Sequence, residues 1–81
     1  MENEYKVYVD VKALFTKGGK LLPFSVRWTD GTEFEIQRIT EIRRAASLKA
    51  GGVAIRYTCI ISGWESHLYY DEHNRWYVEK K

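Results

Sequence analysis

Apolar and polar residues alternate over residues 4–15: Tyr5, Val7, Val9, Val11, Ala13 and Phe15 share one face, and Glu4, Lys6, Tyr8, Asp10 and Lys12 most of the other. A period of two is the signature of a strand with one buried side. The following Gly18-Gly19 pair suits the φ > 0 conformations of a two-residue type I′ turn. That turn predicts Phe15 opposite Leu22, Ala13 opposite Phe24, Val11 opposite Val26 and Val9 opposite Trp28, apolar on both sides at every position. At Thr29-Asp30-Gly31 a two-residue loop would put Phe34 on the polar face. A three-residue loop with Gly31 left-handed instead pairs Val26 with Phe34 and Phe24 with Ile36, so the pattern selects the longer loop.

The second half repeats this logic. Val53, Ile55, Tyr57, Cys59 and Ile61 alternate, and a Ser62-Gly63 turn pairs Ile61 with Trp64, Tyr57 with Leu68 and Ile55 with Tyr70. A Glu72-His73-Asn74 loop, with Asn74 in the left-handed region that Asn tolerates, pairs Tyr70 with Trp76 and Leu68 with Val78. Between the halves, residues 37–52 lose the period of two: Ile36, Ile39 and Ile42 are three apart. A short helix with Ile39, Ile42 and Ala46 on one side and Gly51 as its stop fits this spacing, and so does a bulged, bent strand. Pro23 tips the balance toward a bent strand running into a loop, because its missing N–H faces the third strand near Gln37 and should break the ladder there. Two three-stranded meanders that cover each other's apolar faces predict an all-β fold, a small barrel or orthogonal sandwich, with an irregular or short helical linker at about 38–52.

Length and composition narrow the setting. Eighty-one residues form a single domain, 1–81, with little surface to bury and twelve aromatic residues to bury it with. One cysteine excludes an intrachain disulfide, the acidic start is no signal peptide, and no apolar run reaches the roughly 20 residues of a membrane helix. These features point to a cytoplasmic location. A net charge of +2 with both signs interspersed does not by itself imply nucleic acid.

Five groups of residues are chemical candidates. By the pairings above, Arg56 lies opposite Tyr69 and Tyr69 opposite Tyr77 on the outer face, with Thr58, His67 and Glu79 in the next row. Two exposed tyrosines beside an arginine could stack bases or hold a peptide; the competing reading is that such neighbours only stabilise the sheet. Arg43, Arg44 and Lys49, beside Gly51 and Gly52, could grip phosphate. The stretch lacks the Gly-x4-Gly-Lys-Ser/Thr pattern of a P-loop, and a charge run ordinarily just faces water. Cys59 falls inward opposite Ser66, where a thiol acts as a small hydrophobe. His67 and His73 have no second ligand at metal spacing, and His67 beside Glu79 has no nucleophile to serve. Trp28, Trp64 and Trp76 fall inward as core filling, and Trp64, at a turn, would be an interface anchor if exposed. No catalytic set, cofactor motif or metal site emerges.

The stretch from Arg43-Arg44-Ala45-Ala46 through Gly51-Gly52 and on to Arg56-Tyr57-Thr58-Cys59 resembles a group of small uncharacterised proteins of clostridia-like bacteria. The spacing from Trp28-Thr29-Asp30-Gly31 to Trp76-Tyr77-Val78-Glu79 is similar too. The resemblance implies a bacterial, cytoplasmic protein and carries over no activity. The residues themselves suggest a non-enzymatic binding module using Arg43, Arg44, Lys49, Arg56, Tyr69 and Tyr77 for single-stranded nucleic acid or a peptide. The alternative is an assembly protein that meets a second copy or a larger protein partner through strand edges or the Tyr8, Tyr69 and Tyr77 face. An enzyme with a site in the barrel mouth is the third reading.

Overall fold

The alternation becomes six antiparallel strands in chain order: β1 (Lys6–Phe15), β2 (Leu21–Arg27), β3 (Glu33–Ala46), β4 (Val53–Ile61), β5 (Trp64–Asp71) and β6 (Trp76–Glu79). The computed structural model describes residues 6–46 and 53–79. Each strand pairs with its sequence neighbours, and β1 pairs with β6 through Lys6–Glu79 to Val9–Trp76, closing a barrel. The fold is therefore the barrel of the two expected architectures. Val26, Ile36, Tyr57, Cys59 and Leu68 form its buried centre, with Val9, Val11, Ile39, Ile61, Tyr70, Trp76 and Val78 packed around them. These are the inward positions of the sequence pattern.

Turn chemistry sets most of the register. Ser62 and Gly63 both take positive φ (52° and 80°), a two-residue turn that pairs Ile61 with Trp64 and Tyr57 with Leu68 as expected. Gly31 and Asn74 are the left-handed residues of three-residue loops closed by the Trp28–Thr32 and Asp71–Arg75 backbone pairs.

The first turn departs from expectation. It is also a three-residue loop, Lys17-Gly18-Gly19, closed by Thr16 N–H to the Lys20 carbonyl at 2.7 Å, and of the two glycines only Gly19 takes positive φ. The hydroxyl of Thr16 accepts the Lys20 N–H and holds this longer form. Phe15 consequently meets Leu21 rather than Leu22, and Ala13 meets Pro23 rather than Phe24. A bulge at Phe24 absorbs the extra residue, so Val11 still meets Val26. Phe24 is turned out to half exposure and does not pair with Ile36.

The linker is shorter than expected. Residues 38–46 are strand, not helix, and β3 pairs with β4 as far as Ala46–Val53. The register slips twice, between Ile36 and Arg38 and between Ile39 and Glu41. Each bulge inserts one residue, so inward positions three apart remain on one face of a strand. The helix-like spacing of Ile36, Ile39 and Ile42 is thus the spacing of two bulges. Side chains staple both: Gln37 Oε1 accepts the Gly63 N–H at 2.9 Å, and the Thr40 hydroxyl donates to the Thr58 carbonyl at 3.2 Å. The ladder break at Pro23 is present as expected: β2 and β3 pair only at Ser25–Glu35, Val26–Phe34 and Arg27–Glu33. Beyond it the β1–β2 hairpin parts from β3 and is tied to the core by the Tyr57 hydroxyl, which donates to the Leu21 carbonyl.

Candidate binding surface

Register places Arg43, Arg56, Tyr69, Tyr77 and Tyr8 side by side across the outer face of β3, β4, β5, β6 and β1. Lys49, with Gly51 and Gly52, lies outside the described residues. The row divides into a closed aromatic part and an open basic part.

The tyrosines are engaged with one another. Tyr77 is 1% exposed although it points outward. Tyr69 stacks on it (centroids 5.1 Å apart, planes 7° apart), Tyr8 meets it edge-on at 5.9 Å, and Lys6 Nζ lies 4.7 Å from its centroid. Arg75 covers the Tyr8 ring at 4.5 Å and reaches back to Asp71 Oδ2 at 3.4 Å. Burial, together with a hydrogen bond to Glu79, holds the Tyr69 phenol protonated above its usual range. The expectation of two exposed tyrosines is therefore corrected. Neighbouring side chains on the convex surface cover Tyr77, and the ring it would offer to a base is already stacked.

Asp71 anchors this network. Its Oδ1 accepts the N–H groups of His73 and Arg75, each at 2.9 Å, which fixes the loop between β5 and β6. Burial alone would raise its pKa, but these donors and the Arg75 charge outweigh it and leave the carboxyl below the ordinary aspartate value. The pattern of outer and inner positions gave no sign of this residue; an Asp four residues before Arg, spanning an Asn-containing loop, is the only signal the sequence offers.

The basic part is open. Arg43 and Arg56 are directly opposed. Arg56 pairs with Glu41 at 3.3 Å, while Arg38, Arg43 and Arg44 are exposed with no carboxylate partner among the described residues. Arg38 did not stand out in the sequence because the first bulge decides its face. Arg44 shares the inner-face parity of its partner Ile55, at the mouth of the barrel.

The remaining candidates resolve simply. Cys59 is fully buried opposite Ser66, and burial pushes its thiol up to about 11. Iodoacetamide at pH 8 should leave Cys59 unmodified in the folded protein and alkylate it in denaturant; native-state labelling at the rate of a free thiol would contradict its burial. His67 Nδ1 and the Thr58 hydroxyl share a hydrogen bond at 3.2 Å, and His73 is an exposed loop residue. No group of three metal-ligating side chains forms among the described residues. Trp76 packs against the core as expected, but Trp28 is partly exposed and Trp64 is 75% exposed, because both sit at strand ends where the barrel stops. No helix among the described residues is long and apolar enough to cross a membrane.

No protein-family model matches the chain, and neither does any curated protein or solved structure.

Proposed function

We propose that this chain is a non-enzymatic binding module and that it holds an acidic polypeptide segment against the arginines of β3 and β4. The observation that carries this reading is the arginine arrangement: Arg43 directly faces Arg56, and among the described residues Glu41 is the only carboxylate that pairs with either. Like charges opposed on a sheet are destabilising, and an anionic ligand relieves that repulsion. Arg38 extends the same charge along the outer face of β3, Arg44 adds a cation on the inner face at the barrel mouth, and Lys49 adjoins β3 in sequence. Single-stranded nucleic acid is less well served, because sequence-tolerant binding of bases uses open aromatic faces, and Tyr69, Tyr77 and Tyr8 are occupied by one another and by Arg75.

Fluorescence anisotropy with fluorescein-labelled octaglutamate and with an octathymidylate of similar charge tests this reading. Octaglutamate should bind at low salt and weaken steeply as the ionic strength rises through the Debye-screening range. Arg43→Ala combined with Arg44→Ala should weaken it about tenfold, on the order of 1.4 kcal/mol. Unchanged affinity in the double variant would remove the arginines from the site, and tighter binding of the oligonucleotide would move the reading to nucleic acid.

A further inference from the structure

The geometry points to an open strand edge, and we propose that the acidic segment binds as an added β-strand along residues 41–46 of β3. This rests on the reading that the arginines bind an acidic peptide and adds the mode of binding and the side-chain pattern of the ligand.

Three observations converge on this edge. First, β2 leaves β3 after the Ser25–Glu35 pair, while β3 continues against β4 to Ala46. From the break onward β3 has a strand on one side only among the described residues, and its other row of backbone N–H and C=O groups is available for pairing. The bulges at Gln37 and Thr40 interrupt regular pairing, so the uninterrupted edge is 41–46, room for about six residues.

Second, the gap between β2 and β3 runs along residues 36–42 and reaches this edge at Glu41 and Ile42; it is a cleft of about 540 Å³, lined on its apolar side by Leu22, Pro23, Ile36, Ile39 and Ile42. Ile42 is 47% exposed although its cross-strand partner Tyr57 is 2% exposed. An inward position is left uncovered where the missing strand would lie. Third, the edge carries more cation than anion. Arg43 on the outer face and Arg44 on the inner face are exposed with no carboxylate partner among the described residues, while Glu41 is taken up by Arg56.

These features specify an extended segment with an apolar side chain on the inner face beside Ile42 and acidic side chains on the outer face beside Arg43. A second copy of this chain is a poorer occupant. Pairing two β3 edges sets the four cations Arg43 and Arg44 of the two copies against two Glu41 carboxylates, each of which already serves Arg56. The test uses a capped hexapeptide of alternating glutamate and valine. Two analogues accompany it, one N-methylated at the glutamates and one at the valines, so that each blocks a single hydrogen-bonding edge.

The parent peptide should bind and perturb the amide signals of β3 and of Leu22. One analogue should lose more than about tenfold in affinity, since several backbone hydrogen bonds of about 1 kcal/mol each are removed, and the other should stay close to the parent. If both analogues bind like the parent, charge alone holds the peptide: strand addition is overturned and the arginine reading stands. If neither the hexapeptide nor octaglutamate binds, both are overturned. A free protein of twice the 9.6 kDa monomer mass, with the 41–46 amides protected, would give the edge to a second copy and overturn the peptide.

Discussion

Tyr77→Ala should cost about 3–5 kcal/mol, the range for removing a large buried aromatic ring. A chain of 81 residues has roughly 4–12 kcal/mol in total, so the variant should be barely folded and its Tm lower by at least about 12 °C. The cause is the environment of the ring. It is buried beneath Tyr69, Tyr8 and Lys6 on the outer surface, and it joins the strands that close the barrel, β5, β6 and β1. Tyr77→Phe keeps the ring and should recover most of the loss. Trp64→Ala removes an even larger side chain that is 75% exposed and should stay within about 0.5 kcal/mol of the parent. Thermal unfolding of the three variants decides the matter. A Tyr77→Ala protein that melts within a degree or two of the parent would mean that the ring is a surface platform and not part of the packing.

Asp71→Ala should cost about 1–3 kcal/mol at neutral pH, because the variant strands two backbone N–H donors and frees the Arg75 guanidinium. Asp71→Asn retains an acceptor oxygen and should cost less. The two variants also separate from the parent in their response to pH. The folded-state pKa of Asp71 lies below its ordinary value, through the N–H groups of Arg75 and His73 and the Arg75 charge, which overcome the opposing effect of burial. The ionised form therefore favours the fold. Its contribution is complete above the unfolded pKa of about 3.9 and is lost as pH falls through the lower folded value. Urea unfolding at pH 7 and near pH 3 should show the stability gap between parent and Asp71→Asn narrowing in acid. A gap that is constant or widens in acid would contradict the assigned direction.

Much of the barrel was legible because turn chemistry and alternation agree. Asp30-Gly31, Ser62-Gly63 and Asn74 each admit one loop that keeps apolar residues paired, and the structure uses those loops. Gly18-Gly19 was read as a two-residue turn and is not one: either glycine can adopt positive φ, and the structure uses only Gly19. The Phe24 bulge then hid the difference by restoring Val11 to Val26. Period three at Ile36, Ile39 and Ile42 could not separate a helix from two bulges, and only the consequence of Pro23 for the ladder favoured the strand. The binding surface was half legible. Alternation says which side of a sheet a residue takes, not whether its neighbours cover it. Arg56, Tyr69 and Tyr77 were correctly grouped in one row, which Arg43, read as part of the linker, joins because β3 runs on to Ala46; the burial of Tyr77 depends on Tyr8, which arrives only when β6 pairs with β1. The open edge likewise follows from a bend, which no local pattern reports.

Beyond Glu35, β3 is paired on one side and open on the other among the described residues. Amide hydrogen exchange of the free monomer, read residue by residue by NMR, tests it most directly. Alternation is expected along 41–46: amides bonded to β4 exchange slowly, and those on the open edge exchange like exposed groups. Uniform protection of every amide in that stretch would mean that the edge is already covered, and would rule out strand addition there.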